Sequence, residues 1–341
     1  MSGSREGVKR VELVCPAGSL PALKAAVDSG ADAVYMGFRD ATNARNFPGL
    51  NFDEGAAHKG IQYAHERGVK VLLALNTFPQ PENWSQWTRA VDLAASLDVD
   101  ALIMADPGLL RYAAASHPDL RLHLSVQGSA TSYEAINFYQ RQFGIQRVVL
   151  PRVLSFSQVT RLIENTDVEV EVFGFGSLCV MVEGRCALSS YVTGESPNTC
   201  GACSPARAVR WEEDASGRRS RLNGVLIDSY QPGESAGYPV LCKGRFEVNG
   251  RVDYAIEEPT SLSLLDRLPE LLKAGVVALK IEGRQRSPAY VKQVTQVMRK
   301  ALDACLADPD GYAPHSEWVT QLDRVSEGTT HTLGALDRAW Q

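Results

Sequence analysis

Short runs of apolar residues alternate along this chain with longer segments in which apolar residues recur every three or four positions. The short runs are typical of buried strands, and the longer segments are typical of helices that cover one face of a sheet. Seven strands are predicted before residue 176: Val11–Cys15, Ala33–Met36, Val69–Leu75, Ala101–Met104, Leu120–Val126, Arg147–Leu150 and Val168–Phe175. An eighth, Val276–Ile281, follows after about one hundred further residues.

Helices are predicted between these strands. Examples are Leu20–Ser29, Trp84–Ser96, Ala130–Arg141 and Ser155–Glu164, and a long helix, Pro288–Leu306, follows the eighth strand. Ser155 is suited to the N-cap of its helix because its side chain can accept a hydrogen bond from a free backbone N–H. Since a helix between successive strands makes the strands parallel, the pattern predicts an α/β fold.

Two architectures produce this alternation, a closed (β/α)8 barrel and an open, doubly wound sheet. The first strand is followed by Pro16-Ala-Gly-Ser19 and lacks the Gly-x-Gly-x-x-Gly with which open sheets bind dinucleotides. This difference, together with eight strand–helix units, favours a (β/α)8 TIM-barrel-like domain. The open sheet is the alternative.

The alternation is interrupted at residues 177–275, which are rich in Gly, Pro, Ser and charged residues. An insertion between strands seven and eight is therefore predicted to form a cap over the barrel mouth. The barrel itself is assigned to residues 1–176 and 276–306. The tail, 307–341, contains two tryptophans and is expected to pack against the barrel.

Composition narrows the class of protein. The chain has 341 residues, of which 44% are hydrophobic, so it can bury a large core. Its net charge of −5 disfavours a nucleic-acid partner. Seven cysteines, an odd number, and no secretory signal pattern indicate the cytoplasm. No apolar run reaches the roughly 18 to 20 residues of a membrane-spanning helix, so no membrane insertion is expected.

The predicted insertion carries four separated cysteines, Cys179, Cys186, Cys203 and Cys242. Cys179 lies just beyond the seventh strand, at the barrel mouth, and the other three thiols could converge there. Thiolates bind both iron–sulfur clusters and zinc. The spacing differs from the paired Cys-x2-Cys of a zinc ribbon and favours a 4Fe-4S cluster. Structural zinc and unrelated buried cysteines are the alternatives.

Three other cysteines are interpreted differently. Cys200 forms a Cys-x2-Cys pair with Cys203, so either thiol could reach a metal. Cys15, at the end of the first strand, and Cys305, on the last long helix, are expected to be core residues.

Polar residues follow most of the predicted strands and should surround the barrel mouth, where (β/α)8 enzymes bind their substrates. The candidate catalytic residues are Asn43, Arg45, Gln127, Arg152, Lys280, Glu282 and Arg284, and Asn76 and Asp106 occupy similar positions. Amide and guanidinium groups there could hold a carboxylate-bearing or quinoid ligand. Alternatively, these charges form ion pairs that stabilise the barrel rim. No zinc-helix motif or nucleophile elbow is present, so hydrolysis has no recognisable motif.

Several separated segments together resemble one known family. They are Glu12-Leu-Val-Cys-Pro-Ala-Gly18, Thr42-Asn-Ala-Arg-Asn-Phe47, Phe175-Gly-Ser-Leu-Cys179, Glu183-Gly-Arg-Cys186, Ser189-Ser-Tyr-Val-Thr-Gly-Glu-Ser-Pro-Asn198, Gly201-Ala-Cys-Ser-Pro-Ala206, Gly237-Tyr-Pro-Val-Leu-Cys242-Lys-Gly-Arg245 and Lys280-Ile-Glu-Gly-Arg-Gln-Arg-Ser-Pro288. They resemble the collagenase-like peptidase superfamily, and within it the members that take part in ubiquinone biosynthesis. The resemblance extends over nearly the whole chain.

This resemblance implies a 4Fe-4S cluster on Cys179, Cys186, Cys203 and Cys242, and oxygen-independent hydroxylation of the ubiquinone ring in the cytoplasm. It also implies a heterodimer with a UbiV-like subunit and an accessory lipid-binding protein that presents the quinone precursor. Cys200 departs from the family pattern, in which another residue precedes Gly-Ala-Cys.

The oxygen donor is expected by analogy with RNA-hydroxylating relatives, which draw their oxygen from prephenate. A prephenate-like donor is therefore expected here, with its carboxylates on Arg45, Arg152 or Arg284. A cluster with four thiolate ligands has no vacant iron, so it is expected to transfer electrons or organise the structure. The alternatives are an RNA-base hydroxylase, a collagenase-like peptidase and a non-catalytic scaffold.

Overall fold

Eight parallel strands form a closed barrel in the computed structural model of the chain, which describes residues 11–197 and 202–338. The barrel strands are β1 (Glu12–Pro16), β2 (Ala33–Met36), β3 (Lys70–Leu75), β4 (Ala101–Met104), β5 (Leu122–Leu124), β6 (Arg147–Val149), β7 (Glu169–Ser177) and β14 (Ala278–Ile281). Strand β14 closes the barrel because it pairs with both β7 and β1. The predicted (β/α)8 fold is confirmed, and the open sheet is excluded.

Helices cover the outside of the barrel, and a helix precedes or follows every barrel strand; the short helix at Leu188–Thr193 belongs to the insertion instead. The helices are α1 (Leu20–Val27), α2 (Glu54–His65), α3 (Trp84–Ser96), α4 (Pro107–Ser116), α5 (Tyr133–Phe143), α6 (Phe156–Glu164), α7 (Leu188–Thr193), α8 (Leu268–Ala274), α9 (Pro288–Ala307) and α10 (Ser316–Asp323). Ser155 caps α6 as predicted, and Gln158 Oε1 accepts a hydrogen bond from Ser155 N at 2.8 Å in return.

The insertion after β7 forms its own small sheets. Its strands are β8 (Val209–Asp214), β9 (Gly217–Leu222) and β10 (Val225–Tyr230), which form an antiparallel sheet, and β11 (Arg245–Val248) and β12 (Arg251–Tyr254), which form a hairpin. Two further strands extend the barrel sheet: β13 (Ser261–Ser263) pairs antiparallel with β7, and β15 (His331–Thr332) pairs parallel with β13.

The end of the region assigned to the insertion therefore lies on the barrel wall. Both β13 and α8 fall within residues 177–275, and Leu268 and Leu271 of α8 are buried in the main apolar core. The tail contacts the same wall through β15 and through Leu322 of α10, which is buried in that core. No helix among residues 11–197 and 202–338 is both long and apolar enough to cross a lipid bilayer.

The inside of the barrel is divided between apolar and charged side chains. Apolar residues such as Val14, Leu72 and Ile103 form a small cluster of their own inside the barrel. Nearer the N-terminal ends of the strands lies an ion-pair network, here called the barrel-floor network, formed by Glu12, Arg147, Glu169, Glu171 and Lys280.

Arg147 connects this network. Its guanidinium group lies 2.8 Å from Glu12 Oε2, 2.8 Å from Glu169 Oε2 and 3.3 Å from Glu171 Oε2. Glu171 has no exposed surface, and its other carboxylate oxygen accepts a hydrogen bond from Lys280 Nζ at 2.7 Å. Burial alone would lower the pKa of Arg147, but Glu171, Glu12 and Glu169 raise it. The three carboxylates therefore hold the Arg147 guanidinium in its charged form.

Candidate functional site

A cavity of about 600 Å³ opens where the barrel strands end. Its apolar lining comes from inward-facing strand positions, among them Ala74, Ile103 and Val149, and two aromatic rings, Tyr35 and Phe173, line it as well. In barrels of this kind the loops at the C-terminal ends of the strands carry the active site. The cavity lies at the position where (β/α)8 enzymes bind their substrates.

Six of the seven candidate catalytic residues line this cavity: Arg45, Gln127, Arg152, Lys280, Glu282 and Arg284. Asn76 lines it too. Asn43 is buried beside it, where its Oδ1 accepts hydrogen bonds from Arg284 Nη1 at 2.7 Å and from Arg45 N at 3.0 Å. Asn43 therefore positions two arginines of the cavity.

Asp106 has a different role from the one its position after β4 suggests. Its carboxylate accepts a hydrogen bond from Leu109 N at 2.8 Å and caps the N-terminus of α4. Asp106 is therefore a helix cap and is not part of the cavity lining.

Arg284 is a buried cation in the cavity wall. Its side chain donates a hydrogen bond to the neutral amide of Asn43, and within residues 11–197 and 202–338 it forms no salt bridge with a carboxylate. Burial lowers the pKa of Arg284 to about 10, and the nearby charge of Arg45 adds to that effect, while Tyr35 and the Glu282 carboxylate oppose it only in part. A buried guanidinium group with so little compensation favours an anionic ligand.

Arg152, by contrast, already has protein hydrogen-bond partners. Its Nε donates to Glu183 Oε1 at 2.8 Å and its Nη1 to the carbonyl of Ser177 at 2.6 Å. Burial would lower the pKa of Arg152, but the negative charges of Glu183, Cys179 and Glu282 raise it. Its guanidinium carbon also lies 3.9 Å from the ring centre of Phe173.

Glu183 brings the insertion onto the barrel mouth. The Glu183 carbonyl accepts a hydrogen bond from Ser129 Oγ at 2.6 Å. The next residue, Gly184, has φ +91°, and a Cβ there would lie 2.3 Å from the Gln127 carbonyl oxygen. Glycine thus permits the close approach of the loop that places Glu183 in the cavity.

Lys280 and Glu282 both make contacts that stabilise the barrel, as expected if the charges at the rim are structural. Lys280 Nζ pairs with Glu171 of the barrel-floor network and lies 3.9 Å from the ring centre of Tyr35. Burial lowers the pKa of Lys280 despite the opposing effect of Glu171. Glu282 Oε2 accepts a hydrogen bond from Ser177 N at 3.2 Å. Both residues line the cavity while they also hold neighbouring strands together.

Two buried oxygens of the cavity have no hydrogen-bond donor among the described parts of the chain, namely Gln127 Oε1 and Glu183 Oε2. Buried polar atoms are nearly always hydrogen-bonded in folded proteins. These two acceptors therefore offer hydrogen-bonding capacity to a ligand with O–H or N–H groups.

The cysteines of the predicted ligand set lie around the same mouth. Burial is the largest effect on two of these thiols and raises the pKa of Cys179 and Cys242 to about 12. Negative charge on Cys203 raises both values further, and Cys186 acts likewise on Cys203 and Cys242. All four are therefore close enough to interact electrostatically.

These thiols also lie near the cavity. The pKa of Cys203 is raised mainly by burial, while the positive charges of Arg45 and Arg152 oppose that increase. None of the six described cysteines forms a disulfide bond. Within the described ranges, no three His, Cys, Asp or Glu side chains stand at metal-coordinating positions.

The remaining cysteines fall into two groups. Cys15 and Cys305 are buried in the apolar core, where Cys15 Sγ accepts a hydrogen bond from Thr295 Oγ1 at 3.4 Å. Cys200, the other member of the Cys-x2-Cys pair, lies outside the described residues.

Sequence reasoning missed four polar or aromatic residues of the cavity: Tyr35, Ser125, Phe173 and Glu183. Strand alternation could have found Tyr35 and Phe173, because each lies two residues after an inward-facing position of its strand. Glu183 could not have been found this way, because its place depends on how the insertion folds back.

Comparison with known proteins gives consistent matches over the barrel and the insertion. The model of Peptidase family U32 matches residues 18–336. The tRNA hydroxylation protein P1 of Bacillus subtilis is 30% identical over 332 residues, which cover 97% of this chain and 72% of that protein. The tRNA hydroxylation protein P of Escherichia coli is 32% identical over 351 residues, with 96% and 74% covered. An uncharacterized protease of Methanocaldococcus jannaschii is 34% identical over 320 residues, with 92% and 70% covered.

Proposed function

The chain belongs to peptidase family U32, and from that premise we propose that it is an iron–sulfur subunit of a cytoplasmic, oxygen-independent hydroxylase that acts on the ring of ubiquinone biosynthetic intermediates. The observation that carries this proposal is the barrel-mouth cavity, which combines aromatic walls with a buried, under-compensated guanidinium group. Two relatives bear names that refer to hydroxylation, which supports the reaction class.

The cavity suits a single substituted ring. It is concave, and a few polar groups converge on a mainly apolar lining, as in most small-molecule sites. Tyr35 and Phe173 offer aromatic faces, and Ile103 and Val149 offer apolar contact. Gln127 Oε1 and Glu183 Oε2 can accept hydrogen bonds from ring hydroxyl groups. The ring would thus be held by apolar contact and oriented by its hydroxyls.

A prephenate-like oxygen donor would bind through its carboxylates. Arg284 is the strongest candidate to hold one, because it is buried and lacks a carboxylate partner among the described residues. Arg45 lines the same cavity and could hold a second. Arg152 is less suitable because Glu183 and the Ser177 carbonyl already occupy its donors.

The proposed reaction replaces a ring C–H with C–OH, which removes two electrons from the ring carbon. If an organic donor supplies the hydroxyl group, the donor loses its C–OH bond, takes up the hydrogen and is reduced by the same two electrons. The contribution of this chain is to hold the two reactants in contact and to keep water out of the cavity.

Four thiols would hold the cluster: Cys179, Cys186, Cys203 and Cys242. They fit a thiolate-bound group because they form no disulfide bonds, lie within electrostatic range of one another, and include one thiol, Cys203, near two arginines that favour its thiolate form. When bound, a 4Fe-4S cluster supplies one-electron transfer. Metal binding must then displace the thiol protons that burial retains.

The insertion also supports the proposed protein partners, a UbiV-like subunit and a lipid-binding accessory protein that presents the quinone precursor. Among the described residues, ten large apolar side chains are exposed, and eight of them lie between Tyr191 and Ile256. Tyr191 is 92% exposed and Val252 is 69% exposed. Clusters of exposed apolar side chains typically mark interaction surfaces.

Hydroxylation of an RNA base is the second candidate, because at least six relatives are named for tRNA hydroxylation. Against it, the chain carries a net charge of −5, and two of the three arginines of the cavity, Arg152 and Arg284, are buried where a phosphate backbone cannot reach them. Peptide hydrolysis is less well supported. Ser125 is the serine that lines the cavity, and no histidine from the described parts of the chain lines it to act as a base.

The substrate is tested in cells that lack the protein and grow without oxygen. We expect their quinone precursors to lack ring hydroxyl groups, as measured by mass spectrometry, while hydroxylated tRNA nucleosides stay at the normal level. The wild-type gene should restore the quinone, and a gene encoding Arg284→Met should not. Loss of hydroxyl groups from tRNA alone would establish the RNA function instead.

The cluster is tested by iron and sulfide analysis of protein purified without oxygen. We expect about four of each per chain in the wild type and almost none in Cys203→Ala. Cys305→Ala, which changes a core thiol, should retain both. If Cys200→Ala loses iron and Cys203→Ala keeps it, the ligand is Cys200 and our assignment is wrong.

A further inference from the structure

A second cavity adjoins the barrel-mouth cavity and encloses about 320 Å³ when the space at its open side is included. Ten of its eleven lining residues are apolar, among them Leu154, Leu264 and Leu336. Two residues, Arg152 and Phe173, line both cavities. The two spaces are therefore neighbours that share one side-chain wall.

The strand pairing explains why the barrel wall is thin here. Strand β7 pairs with β6 up to Glu171 and with β13 from Phe175 onward. Phe175 also pairs with Ile281 of β14, so β6 and β13 must share the opposite edge of β7. On this edge, residues 172–174 lie between the two partners and have no ladder pair in β6 or β13, although the Gly174 carbonyl accepts a hydrogen bond from Leu264 N at 2.9 Å. Their other edge stays paired with β14, where Val172 pairs with Leu279 and Phe173 with Lys280. A register shift of β14 against β7 falls at the same level, which is common at barrel rims near active sites.

Side chains, not backbone, therefore close the wall at this level. The Arg152 guanidinium stacks over Phe173, and its hydrogen bonds run to Glu183 and to the Ser177 carbonyl. A change of rotamer at Arg152 would join the cavities without breaking any strand pairing.

We propose that the second cavity binds the aliphatic side chain of the ring substrate, so that the ring lies in the barrel mouth and the chain passes between Arg152 and Phe173. This inference rests on the proposed function and names how its substrate is held. A cavity lined almost wholly by leucine and valine does not hold water well and favours apolar groups. Leu333 and Leu336, at its outer side, are only half-buried, so a longer chain has a way out to the surface.

The test compares two probes, a benzoquinone with a ten-carbon side chain and the same quinone without it. Their Kd values for the anaerobically purified full chain are measured by equilibrium titration. Each methylene buried from water tightens binding up to about fourfold, so the chain should lower the Kd by at least about tenfold. Leu336→Trp and Val159→Phe each fill the second cavity from a different side. We expect either to reduce the chain's advantage below about threefold and to leave the Kd of the ring alone unchanged.

Leu272→Trp is the matched control, because Leu272 is a partly buried leucine that packs against the same core but lines neither cavity. It should keep the full advantage of the chain, and thermal unfolding should confirm that all three variants are folded. If the chain's advantage survives in both cavity-filling variants, or if the wild type binds both probes equally, this inference is overturned while the ring site stands. A wild type that binds neither probe overturns the inference together with the proposed function.

Discussion

The two ends of the barrel interior use the same kinds of charged residues in opposite ways. In the barrel-floor network, Arg147 contacts three carboxylates, and the fully buried Glu171 contacts both Arg147 and Lys280. At the mouth, Arg284 has an uncharged partner, and the second carboxylate oxygen of Glu183 has no donor among the described residues. The floor is internally compensated, and the mouth is not.

This difference separates structural charges from functional ones. Burying a charge costs several kcal/mol unless partners compensate it, so the network at the floor holds strands together only as a complete set. At the mouth, the cost of burying charged groups is only partly compensated within the protein. A bound ligand is therefore expected to supply the missing partners. We therefore expect floor variants to change stability and mouth variants to change activity.

The largest effect is expected from Arg147→Met. This change leaves Glu12, Glu169 and the fully buried Glu171 without their shared cation, which should lower the free energy of unfolding by about 3 to 5 kcal/mol. Arg121→Met is the control, because Arg121 is more than one-third exposed and pairs with Glu169 at the barrel edge, so its loss should cost less than about 1 kcal/mol. Urea denaturation measures both. Equal losses would show that the floor is no more tightly coupled than a surface ion pair.

Arg284→Met should have the opposite effect, with a large loss of activity and little change in stability. Because it removes a buried cation that lacks a carboxylate partner, stability should change by less than about 1 kcal/mol, while hydroxylation should fall at least about 100-fold, equivalent to about 3 kcal/mol of transition-state stabilisation. Arg286→Met is the control, because Arg286 is more exposed and pairs at 3.5 Å with Glu327. It should keep near-normal activity. A strongly destabilised Arg284→Met protein would place Arg284 with the structural charges.

Gln127→Met tests whether an uncharged polar residue at the mouth serves the ligand or the fold. Its buried Oε1 has no donor within the described chain, so an apolar side chain of similar length should leave stability unchanged or raise it by up to about 1 kcal/mol. Activity should fall about tenfold if that oxygen orients the ring. Thermal unfolding measures the change in stability, and initial rates on the same preparation measure the change in activity. A loss of stability greater than about 1.5 kcal/mol would indicate that Gln127 is an ordinary structural amide.

The contrast between floor and mouth also shows which features of the fold and the site can be predicted from the sequence alone. The eight strands follow from local apolar runs, and the mouth residues Gln127, Lys280 and Arg284 follow from their positions just after or near the ends of strands, so both were predictable. Which charges are compensated was not predictable, because Glu171 meets Arg147 and Lys280 only after the barrel closes.

The insertion limits prediction in another way. Glu183 reaches Arg152 through a loop whose path depends on one glycine, and β13 joins the barrel wall although it lies among residues assigned to the cap. Such contacts join distant parts of the chain, and neither periodicity nor residue spacing encodes them.

The smallest effect concerns His123, on the floor side of the comparison. Burial lowers the pKa of His123 well below its ordinary value, and the positive charges of Arg147, Arg121, Lys280 and Lys70 act in the same direction. Arg121 Nε donates to His123 Nε2 at 3.1 Å, which suits the neutral ring.

The sign of its pH dependence follows from proton binding. Below a pH of about 6.5 the unfolded chain binds a proton at His123 that the folded chain does not, so stability falls as the pH falls through that value. Between pH 6.5 and 5.5 the wild type should lose about 1 kcal/mol more than His123→Asn, as urea denaturation at each pH would show. If the two proteins lose stability in parallel, His123 is protonated in the folded barrel, and the floor must then hold a further positive charge beside Arg147. That result would make the floor as incompletely compensated as the mouth.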